Sequence, residues 1–580
     1  MVVSVRLSAE ARAHAIEAMA SSDPEAQLDV LVVGAGVVGA GAALDAVTRG
    51  LTVGLIEQRD LASGTSSRSS KLVHGGLRYL EMFDFALVRE ALEERGLLLT
   101  RLAPHLVRPV PFLYPLRKAW ERPYVGAGLV LYDGLAMTGK YDMGVPKHKH
   151  LFRKQLRRLA PDLRSEDLHG AIQYYDCQVD DARLVMTLAR TAASYGAHVA
   201  TRTKVTSFIK EGDRVVGVKV RDLEQGIDHE MRARTVINAA GVWTDEIERL
   251  AGHGGLDVEA SKGVHLVVPR DRIRSECGII ARTEKSVLFV IPWGEHWIIG
   301  TTDTPWSYDL AHPAASRADI DYLLGHVNAL VREPLDHDDV EGVYAGLRPL
   351  LKGTVPKDGD RGDTAAATTK ISREHTVVNP VPGLVLIAGG KLTTYRVMAR
   401  DAVDLAVRGG DAGPSITDRV PLVGATRYAA RTNQRARLAR ASGLEIGRID
   451  HLLGRFGGLV DEVLDLIEQR PELAEPIPGA EAYLAVEVVY AVTHEGARHL
   501  DDVLARRTRI SIEVFDRGFS SALPVARLMA GELGWDQARV AEEVDHWLRR
   551  LEAERQSQVQ ATDQEADEAR VSAPEGPWAV

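Results

Sequence analysis

An α/β fold is predicted, with a discontinuous α/β domain interleaved with a β-rich region and an all-α C-terminal domain behind them. Three observations predict it. Between residues 29 and 57 a short apolar strand, a glycine turn, a helix and a second strand follow one another, which is a βαβ unit. Short apolar strands then recur as far as residue 389, several of them ending in glycine. From about Ala412 the apolar residues fall at helical spacing instead.

The elements follow in order. Residues 7–20 are alanine-rich and read as a short amphipathic helix, so 1–27 is taken as an N-terminal helical extension. Residues 29–33 form the first strand, 39–49 a helix of small residues, and 52–56 a second strand ending at Glu57. Residues 63–70 are dense in Ser, Thr and Gly, yet they lead into KLVHGGLRYL, so an ordered loop is expected rather than a linker. Residues 203–209 and 215–220 read as a β-hairpin. Further strands are expected at 235–238, 264–268, 287–291, 297–301 and 384–387. Val540, Val544, Trp547, Leu548 and Leu551 mark one apolar helical face, and Leu459, Val463, Leu466 and Ile467 another. The resulting division is 1–27, 28–410 (α/β and β-rich, interleaved), 411–553 (helical) and 554–580, a polar acidic tail expected to be disordered.

Composition bounds the function. The chain has 580 residues, 45% hydrophobic and 26% charged, which is ordinary for a globular protein. A net charge of −10 argues against a general nucleic-acid binder. Two cysteines, Cys177 and Cys277, exclude a disulfide framework and a Cys-based metal centre, and fit a reducing cytosol. Charged residues interrupt residues 1–27, so no secretory signal is expected there. No run of about 18 apolar residues exists to span a bilayer. A cytoplasmic protein, at most peripheral to a membrane, is the expectation.

Gly34, Gly36 and Gly39 form GxGxxG between the first strand and the helix. The first glycine permits the turn, the second lets a pyrophosphate approach the backbone, and the third lets helix and strand pack closely. The helix N-terminus then faces the phosphates. Glu57 ends the second strand, where an acid accepts hydrogen bonds from a ribose. This context makes the region a Rossmann-like dinucleotide site. Gly126 and Gly128 have neither the third glycine nor the acid and read as packing. Spacing does not separate FAD from NAD. A single fingerprint, with further glycine-ended strands at Gly241 and Gly389 to line a long groove, favours FAD.

The chain resembles the FAD-dependent, quinone-linked glycerol-3-phosphate dehydrogenases. The resemblance rests on GAGVVGAG (34–41), TSSRSSKLVHGGLRYLE (65–81), YDCQVDDARLV (175–185), IIGTTDT (298–304), GLRPL (346–350), ISREH (371–375) and GGKLTTYR (389–396). RRTRI (506–510) resembles part of the family's C-terminal domain. The resemblance implies oxidation of sn-glycerol 3-phosphate to dihydroxyacetone phosphate, with a hydride leaving C2 for flavin N5 and electrons passing on to quinone. It implies a substrate pocket with Arg78, Tyr79, Arg348 and Arg373, arginine forks being suited to a phosphate dianion. Thr302 either contacts substrate or caps a turn. Among the residues with catalytic roles, His74 is a candidate base, with Arg348 as the alternative through lowering the hydroxyl's pKa. Lys391 supplies positive charge toward a substrate oxygen or the flavin. Thr65, Ser66, Ser67, Lys71, Val205, Lys391, Leu392 and Thr393 are implied as further cofactor contacts.

Basic residues (Arg108, Arg117, Lys118, Arg122, Lys140, Lys147) interleave with Phe112, Tyr114, Trp120 and Tyr124, a composition suited to an anionic membrane surface. His148 and His150 read as a basic loop rather than a metal tract. Three rivals stand beside the dehydrogenase: a glycerol-3-phosphate oxidase that reduces O₂, an amino-acid oxidase, and a catalytically silent flavin-binding scaffold. The role of the helical domain is open, with a homodimer contact one candidate.

Overall fold

The computed structural model describes residues 5–21, 23, 27–76, 84–137, 139–254, 257–283, 287–351 and 375–573. Two large sheets carry the α/β part. In the first, strand Leu28–Val33 lies at the centre, with Val53–Ile56 and Ile227–Asn238 parallel on either side. His198–Ala200 and Leu384–Gly389 extend the parallel array, and His375–Val381 closes one edge antiparallel. Leu28–Val33 is apolar except for Asp29 because both faces are covered, one by helices such as Val37–Thr48 and the other by the strands of residues 203–222 and helix Ala9–Met19. Helix Val37–Thr48 can pack tightly because it is built of Gly and Ala. A Cβ on Gly41 would stand 2.9 Å from the Tyr395 ring of helix Tyr395–Ala406. The expected hairpin is present as Thr203–Glu211 and Arg214–Asp222, continuing onto the outer half of Ile227–Asn238.

The second sheet is larger and mostly antiparallel. Its long strand Val258–Pro269 pairs with Gly342–Leu351 from Val258 opposite Leu351 to Val267 opposite Gly342. This register sets Arg348 opposite Ser261, at the end of the sheet nearest the glycine turn's cleft. Helix Ala9–Met19 starts at Ser8, whose Oγ accepts the Ala11 N–H at 3.1 Å. It is clamped to the first domain by Arg12, which meets Asp222 at 2.7 Å.

The C-terminal domain is helical apart from a short hairpin, Pro476–Ile477 with Ala480–Leu484. Helices Ile446–Phe456 and Ala485–Glu495 share one apolar core, and Ala522–Leu533 packs with Trp547 of Gln537–Val559 in another. Buried ion pairs fix this domain to the first. Arg183 grips Glu495 with two 2.7 Å bonds, and Arg509 lies 2.5 Å from both Asp180 and Asp181.

The expectation of a disordered tail from residue 554 is corrected. Helix Gln537–Val559 runs through that boundary, and a further helix, Asp563–Val571, follows. Thr562 and Glu565 cap it reciprocally, Ala566 is fully buried, and Asp563 accepts a 2.6 Å bond from buried Lys262. Polar composition concealed this because one small apolar residue, Ala566, a cap and an ion pair to Lys262 hold the segment, too little to show as an apolar face.

Candidate active site

The glycine turn forms one end of a long groove. Gly34 has φ +99°, and a Cβ there would stand 2.8 Å from the Ala239 carbonyl oxygen. A Cβ on Gly39 would come within 1.8 Å of the Gly34 oxygen, so only hydrogen fits. At the head of the helix the Val37 N–H donates to Ser66 Oγ at 3.0 Å. Glu57 accepts N–H bonds from Ala35 (2.8 Å) and Arg59 (2.9 Å). Burial pushes its carboxyl up, and those two bonds oppose the rise. Val205 and Gly241 complete the walls, with the Arg59 guanidinium 5.6 Å from the Trp243 ring centre.

This cleft opens into a second one. Val37, Thr65, Ser66, Gly389, Gly390, Lys391 and Leu392 border both, so the two form one continuous groove. Thr65 Oγ1 donates to the Leu347 carbonyl at 2.7 Å, tying the serine-rich loop to the second sheet. The second cleft gathers His74, Arg348, Lys391 and Thr393 with Thr301, Asp303, His265, Tyr174 and Phe289. The backbone around His74 is tightly held. His74 N–H donates to Thr393 Oγ1 (3.1 Å) and Gly75 N–H to the Tyr132 hydroxyl (2.9 Å). That hydroxyl donates to Asp176 (2.7 Å), which Arg95 also pairs at 2.8 Å. Arg348 donates to Asp303 (3.2 Å), Thr301 Oγ1 (3.1 Å) and the Thr302 carbonyl (3.2 Å), contacts that aim its fork.

Several expected contacts lie elsewhere. Lys71 is fully buried away from the groove, its Nζ 2.9 Å from Asp181 and 3.1 Å from the Ser67 carbonyl. Its side chain forms a structural ion pair and does not border the groove. Ser67 turns with it, its carbonyl also accepting from Arg509 at 3.2 Å. Thr302 is buried with its hydroxyl accepting the Val264 N–H at 3.0 Å, whereas its neighbour Thr301 borders the cleft. Alternation along an extended chain turns consecutive side chains to opposite faces, and the motif alone did not say which threonine faces in. Arg78, Tyr79 and Arg373 lie outside the described residues. His148 is not a free loop residue, since Asp133 of helix Glu121–Met137 holds its Nδ1 at 2.7 Å. No group of three or more metal-ligating side chains occurs among the described residues.

The sequence reading missed His265. It borders the substrate half of the groove, its Nε2 is 2.8 Å from Ser70 Oγ, and it stacks on Tyr344 with ring centres 4.7 Å apart. Burial and then the nearby charges of Arg348 and Lys71 push its pKa well below 6.5, keeping the ring neutral. Its strand reads only as an apolar run, and the signal was a histidine in register beside the GTTD turn.

Comparison with known proteins decides the family. Residues 29–396 match the model described as FAD dependent oxidoreductase, and residues 415–540 the C-terminal domain of alpha-glycerophosphate oxidase. The glycerol-3-phosphate dehydrogenase 2 of Mycobacterium tuberculosis is 56% identical over 95% of this chain and 92% of its own length. The chain belongs to the FAD-dependent glycerol-3-phosphate dehydrogenase family. Within the family, the mitochondrial enzyme of Mus musculus is 36% identical, over 90% of this chain and 73% of its own. The solved glycerol-3-phosphate dehydrogenase from Bacillus halodurans, complexed with FAD, is 30% identical. It covers 94% of this chain and 98% of its own with a TM-score of 0.76. The groove fits FAD. Gly34 and Gly39 leave a cradle that any Cβ would fill, Glu57 stands where a ribose needs an acceptor, and the groove is long enough to join two clefts.

Proposed function

We propose that the protein oxidises sn-glycerol 3-phosphate at C2 to dihydroxyacetone phosphate and passes the electrons to a quinone. One observation carries this reading: a single groove joins the glycine turn to a pocket holding His74, Arg348 and Lys391. When bound, FAD supplies the hydride acceptor and relays the electron pair. The chain's own residues supply the rest. Arg348, with Arg78 and Arg373, grips the phosphate through planar forks. His74 takes the C2 hydroxyl proton in one version. In the other, Arg348 bonds the hydroxyl oxygen and lowers its pKa. Lys391, at the seam of the two clefts, contributes positive charge that favours hydride acceptance. Tyr174, Ile280 and Phe289 line the pocket with apolar surface that excludes water.

The proposal places the quinone step at a membrane surface that the protein meets peripherally. Trp120, Tyr124 and Leu131 fall at i, i+4 and i+11 and are all exposed, on or just before helix Glu121–Met137. Arg117, Lys118 and Lys147 are exposed nearby in sequence, the pattern of an interfacial helix. No helix among the described residues is long and apolar enough to cross a membrane. Turnover of sn-glycerol 3-phosphate with a soluble quinone in air tests the acceptor. The proposal expects quinone reduction to exceed peroxide formation, and stoichiometric peroxide with an idle quinone would make the protein an oxidase instead. Sedimentation with anionic vesicles, reversed by high salt, is the expected membrane result, and indifference to lipid would remove that part.

A further inference from the structure

A second cavity, of about 100 Å³, lies behind the substrate pocket. Val343 and Ala345 of strand Gly342–Leu351 border it, whereas Arg348 of the same strand borders the groove. The C-terminal domain forms its other wall. Five arginines line it: Arg68, Arg506, Arg509, Arg550 and Arg570. Among the described residues, Glu554 is the one carboxylate on its wall.

The pairing of these arginines is uneven. Arg506 is neutralised by Asp60 (2.5 Å) and Asp502 (2.6 Å), and Arg509 by Asp180 and Asp181. Arg550 reaches Asp501 at 2.9 Å, but its buried Nε has no hydrogen-bond partner. Arg68 donates to the Ala311 carbonyl at 3.0 Å and pairs with no carboxylate among the described residues. Its guanidinium is held down to about 9, first by burial and then by the charges of Arg570, Arg550 and Arg506. His312 on the same wall is pushed well below 6.5 by burial and by Arg550, Arg570 and Arg68. Five guanidinium groups share this wall with one carboxylate, and guanidinium forks match the oxygens of a phosphate.

We infer that this cavity is a second anion site, taking a phosphate-bearing small molecule between the substrate sheet and the helical domain. Arg68 borders both the cavity and the groove. A Cβ on Gly346 would stand 2.4 Å from the Arg68 carbonyl oxygen, and Gly346 is two residues from Arg348. An occupant that orders Arg68 therefore bears on the wall of the substrate pocket. The shared chemistry is the phosphate group, whether it arrives as a free ion, on a soluble ester or on a lipid headgroup.

Calorimetric titration of the FAD-loaded protein with inorganic phosphate, at constant ionic strength, tests this. Two sites per chain are expected, one of them competed by sn-glycerol 3-phosphate. Combining Arg550→Gln with Arg570→Gln should weaken the uncompeted site by about 10-fold or more and leave the competed one unchanged. Glu554→Gln removes the opposing carboxylate and should tighten the uncompeted site, which keeps the test decisive if the double variant does not fold. Phosphatidic acid vesicles form the second arm. Vesicle binding that falls in the same variants while free phosphate is ignored supports the phosphate site with a lipid as its source. A single, fully competed site without vesicle binding, or an uncompeted site that none of these variants moves, overturns the inference.

Discussion

His74 shows how a residue acquires a role from its backbone. Gly75 follows it because a Cβ there would meet the Tyr132 hydroxyl at 2.6 Å and the Leu92 side chain at 2.5 Å. The same hydroxyl and Asp176 hold the Gly75 N–H, so the histidine is presented from a fixed loop. If His74 is the base, His74→Asn slows flavin reduction by about 100-fold in anaerobic stopped flow. A near-wild-type rate ends that assignment and leaves the version in which Arg348 lowers the hydroxyl's pKa. A second residue-scale expectation concerns acid stability. His105 is buried against Gly424 and Gly457, and burial followed by the Arg183 charge lowers its pKa to about 3. His494 is lowered to about 3 and His546 to about 4, burial again coming first. Between pH 6.5 and these values the unfolded chain binds protons that the folded chain refuses. The stabilisation is therefore complete above about pH 6.5 and lost as pH falls. Tm should be level near pH 7 and decline steadily toward pH 4, with a shallower decline in His105→Asn. A level wild-type Tm over that range contradicts it.

At the scale of elements, the loop 65–71 is held from behind by the C-terminal domain. Arg509 joins Asp180 and Asp181, Asp181 joins Lys71 and the Ser69 hydroxyl, and Ser66 meets the N–H at the head of the nucleotide helix. Removing Arg509 leaves two carboxylates buried with one lysine. Arg509→Ala is expected to cost about 3–5 kcal/mol, read as a lower urea midpoint, and Arg509→Lys to recover only part because it cannot fork. An unchanged midpoint would mean that the clamp carries no load. This clamp also marks where sequence reading stopped. Periodicity located the strands at 29–33, 52–56 and 384–387, the hairpin, and the helical character after 412, because burial on a sheet or bundle face imprints itself on spacing. Lys71 and Ser67 were assigned to the cofactor because they sit in the motif, yet their partners are some 110 and 440 residues away in sequence. Long-range ion pairs leave no local pattern. The helix Asp563–Val571 was missed for the same reason, since its anchor is Lys262.

For the whole molecule, two sheets converge on one groove, and the helical domain braces it from behind through Arg509. Its nucleotide half was legible: Gly34, Gly39 and Glu57 occupy the places that their spacing predicted, each for a steric or hydrogen-bonding reason. Its substrate half was legible only through resemblance. His74 is hundreds of residues from Arg348 and Lys391 in sequence, and the sheet register of Arg348 against Ser261 brings that side chain to the pocket. The central claim is that the arginine-lined pocket presents a three-carbon phosphate ester to the flavin. The most direct measurement is the absorbance of the FAD-loaded protein, without oxygen, on adding sn-glycerol 3-phosphate. Loss of the oxidised flavin band near 450 nm (roughly one equivalent per flavin, since each accepts one hydride) is the predicted result, with no bleaching by unphosphorylated glycerol at the same concentration. A band that stays unchanged with the ester, or that glycerol bleaches equally well, contradicts the account.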